Sequence, residues 1–372
     1  MLGWMMLMAL LLLGCGSVLY LAGRVMKFSP LRTLGERSCW GARALALGLV
    51  LLPLGIVWLA WGSMNAVIVL LHLSIFWLIC DGAFRLFRGK KPAPRRYWAG
   101  AAAVLVTVSY LTVGYVQANH VWKAGYTVET QKAAGNFRVA LIADSHLGTT
   151  FDGAGFRKKL GQIQAEAPDI LVIAGDFVDE DSTRADLESA CAALGEFETP
   201  YGVYFAFGNH DKGLYTPGRD FSGDDLVTLL EENGVTVLQD ESVVLDGRIA
   251  LVGRKDASEE LNFGGSRAGT GELLAGIDPA LFTVVLDHQP REYDDQAAAG
   301  ADLVLSGHTH RGQLFPLMQL MALTHLTGDE RAYGTETRLG STFVVTSGIS
   351  DWAIQFKTGC RSEFVVIDIR GK

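Results

Sequence analysis

The chain has 372 residues and a net charge of −8, and 49% of its residues are hydrophobic. Residues 1–121 carry eleven lysines and arginines but only two acids, whereas the remainder carries 21 basic and 38 acidic residues. An acidic second part disfavours nucleic acid as a partner, because a polyanion is bound by a basic surface. Small phosphoesters stay compatible with it, because bound divalent metals would reverse the local charge.

Residues 1–121 are predicted to form an all-α membrane domain with four transmembrane helices. Four apolar stretches approach or reach the ~20 residues that cross a bilayer. They are Leu2–Ala22, Ala44–Trp61, Ala66–Phe84 and Trp98–Val116. The short gap between the second and third stretches predicts a tight helical hairpin.

The basic residues of this domain predict its orientation. One group lies between Arg24 and Arg37, after the first span, and another lies between Arg85 and Arg96, before the fourth span. By the positive-inside rule both basic loops are cytoplasmic. We therefore expect a multi-pass protein of the cell membrane, with everything beyond Val116 on the extracytoplasmic side.

Three alternatives stay open at this point. The run ending in Cys15 loosely resembles a bacterial lipoprotein processing site, and the first span is also compatible with a cleaved signal peptide, but no basic residue precedes either. Reversed topology would give a cytoplasmic-facing enzyme. The spans are interpreted as an anchor, and His72 near the middle of the third span as a neutral imidazole hydrogen-bonded within the bundle.

Residues 122–136 are mixed and polar and are predicted to connect the membrane domain to a second domain, residues 137–372. There, short β-rich runs alternate with helical patterns, which predicts a layered α/β architecture. The predicted strands are Phe137–Ala143, Ile170–Ala174, Tyr201–Phe207, Val235–Leu238, Ile249–Val252, Phe282–Leu286, Leu303–Leu305, Phe343–Thr346 and Phe364–Ile369. The predicted helices are Gly155–Glu166, Arg184–Phe197, Asp224–Asn233 and Arg291–Ala299.

Polar motifs recur a few residues after these strands. They are Asp144-Ser145-His146, Gly175-Asp176, Gly208-Asn209-His210-Asp211, Asp287-His288 and Gly307-His308-Thr309-His310. Ligands in open α/β sheets gather beyond the carboxyl ends of strands, so these segments are expected to converge on one site. The glycines in the motifs would let neighbouring segments approach closely. The cysteines stand outside this pattern, and whether Cys191 and Cys360 pair is left open.

The residue types suit two divalent metal ions. Carboxylates bind hard cations, and imidazole suits Mn, Fe or Zn. A bridging carboxylate can hold two cations ~3.5–4 Å apart, the spacing that clamps the attacking and leaving oxygens of a phosphate displacement. The set therefore predicts metal-assisted hydrolysis of a phosphate ester. Helix capping would explain Asp144 or Asp176 singly, but not the whole set together.

In this order, the motifs resemble the pattern D-x-H, G-D-x-x-D, G-N-H-[DE], H and G-H-x-H of the calcineurin-like metallophosphoesterase superfamily. Residues 306–313 and 346–364 are similar to its membrane-associated bacterial phosphodiesterase branch, although Arg311 replaces the first glycine of the usual Gly-Gly-Gln. The resemblance covers residues 137–369 and implies a layered αββα sandwich of the metallophosphoesterase type.

The resemblance also implies a role for each matching residue. Three residues would bind the first metal alone: Asp144, His146 and His310. Three would bind the second alone: Asn209, His288 and His308. Asp176 would bridge both metals, and His210 would lie beside them as a candidate catalytic acid or charge stabiliser. A structural role in orienting a ligand is the alternative for His210.

Other residues near the motifs have less defined roles. Asp179 is interpreted as bonding to other protein groups rather than to metal, and Asp211 as a candidate for orienting His210. Arg311 and Lys212 either touch the substrate phosphate or pair with acids. The apolar run Leu314–Leu323 either forms a hydrophobic rim that touches the bilayer or acyl chains, or packs on the sheet.

These observations predict a membrane-anchored phosphoesterase that hydrolyses a phosphodiester or pyrophosphate bond by attack of a metal-activated hydroxide. A lipid or lipid-linked compound is a candidate substrate. The alternative, from another functional class, is a membrane signalling or binding protein that uses a phosphoesterase-like domain with little turnover.

Overall fold

A computed structural model describes residues 2–90, 96–214, 219–316, 320 and 328–372, with side chains from residue 12 onward. The chain divides into two compact units, Met1–Gly114 and Tyr115–Lys372. Each unit has its own apolar core.

The first unit is helical. Its helices are α1 (Leu2–Val25), α2 (Ser29–Arg37), α3 (Cys39–Arg88) and α4 (Trp98–Asn119). α3 is interrupted at Gly62, whose φ of +83° and ψ of 171° are not helical. This interruption lies in the gap where the sequence predicts a hairpin.

Length and composition support fewer spans than the sequence predicts. Among the described residues, α3 and α4 are the two helices long and apolar enough to cross a membrane, and residues 12–25 form a shorter apolar helix. The number differs from the predicted four because the second and third predicted spans lie within one 50-residue helix. The described side chains also begin only part-way along α1.

A polar cluster joins the helices of this unit. Asp81 of α3 forms an ion pair with Arg24 of α1 at 2.8 Å and accepts a hydrogen bond from the Tyr97 hydroxyl at 2.6 Å. The indole N–H of Trp77 donates to the same hydroxyl. The carboxylate of Asp81 is therefore neutralised inside the helical unit. Nearby in the sequence, His72 Nδ1 lies 2.8 Å from the Ile68 carbonyl oxygen.

The second unit contains twelve strands and six helices among its described residues. The strands are β1 (Val121–Glu129), β2 (Asn136–Ile142), β3 (Ile170–Ala174), β4 (Val203–Ala206), β5 (Val235–Val237), β6 (Glu241–Leu245), β7 (Ile249–Gly253), β8 (Phe282–Leu286), β9 (Leu303–Ser306), β10 (Gly334–Arg338), β11 (Ser341–Val345) and β12 (Ser362–Arg370). The helices are α5 (Gly153–Gln164), α6 (Arg184–Gly195), α7 (Gly223–Glu232), α8 (Ser258–Leu261), α9 (Thr270–Leu274) and α10 (Tyr293–Ala298).

The strands form two six-stranded mixed sheets. The first sheet has the order β1-β12-β2-β3-β4-β5, and the second has the order β10-β11-β9-β8-β7-β6. Strands β2 to β5 are parallel, as are β7, β8, β9 and β11. Parallel strands with both faces covered read as continuous apolar runs, which is why most of them could be predicted.

The two sheets pack face to face between layers of helices. Along β2, Val139 and Leu141 point into the core between the sheets, while Ala140 and Ile142 face the core under α5, α6 and α7. On the outer side of the second sheet, Tyr293 of α10 stacks on Phe343 of β11 with ring centroids 3.9 Å apart. The predicted α/β class is confirmed, and its layers follow the order αββα.

Strands β1, β6 and β10 were not predicted, and β1 lies inside the segment predicted as a connection. β1 pairs in parallel with β12 from Val121 opposite Ser362 to Glu129 opposite Arg370. All three strands lie at or next to a sheet edge and have exposed positions, so they lack the apolar runs of central strands. Cys191 and Cys360 are both buried and free.

The contribution of β1 to the core can be tested with two buried valines. Val121 and Val128 are 4% and 7% exposed. The double substitution Val121→Ala and Val128→Ala removes four buried carbons, so we expect the free energy of unfolding to fall by about 3 kcal/mol. Urea unfolding of residues 115–372 measures the change. Lys123→Ala, at an exposed position of β1, is the control, and equal effects would contradict a place for β1 in the core.

Candidate metal centre

The predicted site residues converge at one edge of the two sheets. They follow the carboxyl ends of β2, β3 and β4 in the first sheet and of β8 and β9 in the second. The motifs lie up to 166 residues apart in the chain, from Asp144 to His310, yet their side chains meet. Parallel strands deliver their carboxyl ends to a common edge, which is why this convergence was predictable.

Several of these residues have a left-handed backbone. The φ angles are positive at Asp144 (+55°), His146 (+37°), Asp176 (+52°), His308 (+72°) and His310 (+46°). Such conformations cost on the order of 1–3 kcal/mol each for residues with a side chain. Hydrogen bonds between the loops hold them, including Asp144 N–H to the Gly175 carbonyl at 3.0 Å and His146 N–H to the Asp176 carbonyl at 3.1 Å.

Close contact between the loops also explains the glycine in the β3 motif. Gly175 has a φ of +80°, and a Cβ atom there would lie 2.6 Å from Gly208 Cα and from His288 Nδ1. Any side chain at this position would separate the loops after β3, β4 and β8. The loops can therefore meet only when residue 175 is glycine.

The first group of candidate ligands consists of Asp144, His146 and His310. One ligand atom from each lies within 4.8 Å of the other two. His146 Nε2 is 3.0 Å from His310 Nε2, which is 3.4 Å from Asp144 Oδ1. All three residues are buried, and two imidazole nitrogens and a carboxylate oxygen face one another.

The second group consists of Asp176, His288 and His308, again with ligand atoms within 4.8 Å. Asn209 joins it, because its Oδ1 is 2.8 Å from His308 Nδ1. Asp176 Oδ2 is 3.0 Å from His288 Nε2 and 3.7 Å from His146 Nε2. The Asp176 carboxylate therefore lies between the two groups, where a bridging ligand would have to be.

The donor set fits two divalent cations. His288 donates from Nδ1 to the Ala174 carbonyl at 2.7 Å, which directs Nε2 into the site. That Nε2 is buried and makes no hydrogen bond of normal geometry, although the Asp176 carboxylate is 3.0 Å away. A buried ring nitrogen without a hydrogen bond is costly, and a coordinated cation would satisfy it.

The pKa values of these groups follow from burial and from the crowding of charges. Burial opposes ionisation of Asp176, but His288, His210 and His146 around it hold its pKa well below the usual range. Burial and the neighbouring His288 lower the pKa of His308 to about 3. A carboxylate that stays ionised and an imidazole that stays neutral are the forms that coordinate metal.

The pKa of His146 is shifted in the direction opposite to that of His308. Burial opposes its charged form, but the adjacent Asp179 carboxylate and the charges of Asp176 and Asp144 raise its pKa to about 9. Asp179 Oδ2 is 3.0 Å from His146 Nδ1, and both groups are buried. The prediction that Asp179 bonds to protein groups agrees with this contact, which fixes the ring of a candidate ligand.

The sequence suggested that Asp211 orients His210, but the Asp211 carboxylate binds the backbone of two loops. It accepts four backbone N–H groups: those of Asp176 (2.9 Å), Phe177 (2.8 Å), Val178 (3.1 Å) and Gly208 (2.7 Å). It therefore binds the loop after β3 to the loop after β4. The His210 side chain instead lies beside Glu180, whose Oε1 is 3.0 Å from His210 Nδ1.

Comparison with known proteins agrees with this geometry. Residues 137–312 match the calcineurin-like phosphoesterase family. The chain belongs to this family. An uncharacterized metallophosphoesterase of Campylobacter jejuni is 28% identical over 249 residues, which cover 66% of this chain and 62% of that protein.

Two further relatives widen the range of organisms. A transmembrane protein with metallophosphoesterase domain from Bos taurus is 31% identical over 281 residues, covering 71% of this chain and 60% of that protein. An uncharacterized metallophosphoesterase of Aquifex aeolicus is 29% identical over 251 residues, which cover 66% of this chain and 91% of that protein. The chain thus spans about six tenths of the length of the Campylobacter and Bos relatives.

A cavity of about 620 Å³ opens onto the candidate metal centre of this phosphoesterase domain. His210, Asn209, His308 and His310 line it together with residues that were not predicted: Glu180, Asp181, Asp329, Trp352 and Ala353. Trp352 donates from its indole N–H to Glu180 at 3.3 Å. No sequence motif identifies these rim residues, because they reach the cavity only through tertiary contacts.

The two cations considered for substrate contact lie elsewhere among the described residues. Lys212 pairs with Glu259 and lies 5.3 Å from the Phe207 ring centroid. Arg311 stacks over Tyr333 at 3.9 Å. Neither lines the cavity. In the apolar run Leu314–Leu323, residues 317–319 and 321–323 lie outside the described part of the chain.

The role of Asp211 gives a direct test. In Asp211→Asn an amide replaces one carboxylate oxygen, so two buried N–H groups lose their acceptor at about 1–3 kcal/mol each. We expect the free energy of unfolding of metal-free protein to fall by about 3 kcal/mol, measured with urea. Asp225→Asn is the matched control, since this exposed carboxylate accepts the Ser222 N–H and O–H and a hydrogen bond from Arg184, and bridges no buried loops. Equal losses in both variants would refute the proposed link between the loops.

Proposed function

We propose that this protein is a membrane-anchored phosphoesterase with two divalent metal ions, and that it hydrolyses a phosphodiester or pyrophosphate bond. The observation that carries the proposal is the Asp176 carboxylate, placed between two groups of buried histidine and aspartate ligands. Mn, Fe and Zn all suit such ligands. When bound, two such ions supply a hydroxide nucleophile and offset the charge of the phosphate.

The protein groups are assigned roles from their positions. Asp144, His146 and His310 would hold one ion, Asn209, His288 and His308 the other, and Asp176 both. His210 lines the cavity and its Nδ1 is paired with Glu180, so we assign it to protonating the leaving oxygen or stabilising charge. Asp179 would keep the His146 ring in its ligand orientation.

A lipid or lipid-linked substrate is the proposed class. The first unit contains helices of membrane-spanning length, which would keep the enzyme at a lipid surface. Trp352, 39% exposed, lines the cavity. An exposed aromatic side chain at a catalytic cavity suits the acyl or isoprenoid part of such a substrate.

Four membrane spans, with the catalytic unit outside the cytoplasm, are also proposed. A straight helix of 50 residues would be about 75 Å long, far longer than the ~30 Å of a bilayer core. The break at Gly62 divides α3 into two stretches, each long enough to cross once. The basic residues that follow the first span and those that precede α4 would then both lie on the cytoplasmic side.

Hydrolysis of bis-p-nitrophenyl phosphate by the full chain in detergent tests the activity. We expect turnover with Mn²⁺, loss of turnover with EDTA, and a decrease of about 100-fold or more in Asp176→Asn, because the bridging ligand matters more than groups that support ligands. Asp278→Asn, an exposed carboxylate outside the site, is the control. Bound metal without turnover on any phosphoester would instead favour the binding-protein alternative.

The same assay distinguishes substrate classes. We expect a phospholipid or lipid-linked pyrophosphate in mixed micelles to be cleaved with higher kcat/KM than the soluble diester. Efficient cleavage of soluble diesters, with both lipid classes left intact, would refute the lipid proposal while leaving the phosphoesterase proposal unaffected.

Reporter fusions test the orientation. A reporter active only outside the cytoplasm is expected to give signal when fused after Lys372 and none when fused after Gly89, in the basic loop after α3. A cytoplasmic signal from the Lys372 fusion would overturn the proposed orientation.

A further inference from the structure

A buried network of charges lies directly behind one candidate ligand. Asp287 precedes His288 in the chain and is fully buried. Its carboxylate contacts two arginines: Arg254 Nη1 at 3.1 Å and Arg267 Nη1 at 3.3 Å. Gln296 of α10 donates to the same carboxylate at 2.7 Å. The arginine side chains are only 4% and 3% exposed.

The arginines connect four segments of the second sheet's edge. Arg254 follows β7, and its Nε donates to the Ala268 carbonyl at 2.9 Å, while its backbone N–H donates to the Leu286 carbonyl at 3.0 Å. Both guanidinium groups also meet Glu292, just before α10, at 2.7 and 3.0 Å. The loop after β8 is thus held from β7, from residues 267–268 and from α10.

Stability alone is a weak explanation for this network. Removing charges from water is costly, and well-packed apolar side chains often stabilise a fold as well as a buried ion pair does. An ion network adds a defined geometry, because a planar guanidinium group donates hydrogen bonds to a carboxylate only when the carboxylate is suitably placed. The segment whose geometry is fixed here ends in His288.

We propose that Arg254 and Arg267 are positioning residues for the second metal ion. Through Asp287 they fix the β8 loop, so that His288 Nε2 stays 3.0 Å from Asp176 Oδ2. Among the described residues, neither arginine side chain forms a hydrogen bond or ion pair with Asp144, His146 or His310. The two metal sites should therefore differ in their dependence on this network. This inference rests on the proposed two-metal function.

The test is the binding of Mn²⁺ to the full chain in detergent, by equilibrium dialysis with metal analysis, and by electron paramagnetic resonance, which distinguishes paired from single Mn²⁺. In Arg254→Gln and Arg267→Gln we expect the first ion to bind as in wild type and the second 10–100-fold more weakly. The spectrum should change from that of a coupled pair to that of a single ion. His288→Ala is the reference for loss of the second site.

Arg138→Gln is the matched control, because Arg138 pairs with Asp368 at the opposite end of β2 from the metal centre. This variant should keep both ions. If Arg254→Gln does not fold, Gln296→Leu removes only one hydrogen bond to Asp287 and should weaken the second ion alone. Parallel weakening of both ions, or unchanged binding, would overturn the positioning role. Wild-type protein that holds fewer than two ions would overturn the two-metal centre, and this proposal with it.

Discussion

The constraint that organises the catalytic unit is the burial of several charged and ring-nitrogen groups at one sheet edge. Asp144, Asp176, His146 and His288 are each at most 1% exposed, and their ligand atoms face one another. Crowding shifts these groups in opposite directions: neighbouring carboxylates raise the pKa of His146 to about 9, whereas burial and His288 lower the pKa of His308 to about 3. The unit is arranged for positive charge that the protein alone supplies poorly.

The scaffold keeps this arrangement by connecting loops to one another rather than by packing each loop separately. Asp211 binds four backbone N–H groups of two loops, and Arg254 and Arg267 hold a third through Asp287. Asp176, whose φ is positive, lies in a loop that Asp211 binds, and the positive-φ residues Asp144 and His146 donate their N–H groups to that same loop. Strain of this kind persists only where surrounding structure over-determines the backbone, which is the usual situation at a functional site.

Features with a local sequence pattern could be predicted, whereas features that depend on contacts between distant segments could not. Strands Ile170–Ala174 and Phe282–Leu286 were predicted with their observed bounds, because central parallel strands are apolar on both faces. β10, with the sequence GTETR, has no such signal, because it pairs on one side only at a sheet edge. The metal-binding motifs were recognisable because the candidate ligands of each motif lie within a few residues of one another in the sequence. Glu180 beside His210 and the arginines behind Asp287 were not, since only tertiary contacts reveal them.

The uneven charge of the chain suggests a physical reason for the helical unit, namely attachment of an acidic domain to a membrane. Residues 122–372 carry 38 acids against 21 basic residues. An acidic domain gains no electrostatic attraction to anionic lipid headgroups, so its surface charge alone would not hold it at a membrane. Apolar helices would supply that attachment, because burying hydrocarbon in the bilayer does not depend on charge. The acidic surface and the candidate metal centre would then act at different ranges: the surface disfavours polyanions, while bound cations would attract only a phosphate that enters the cavity.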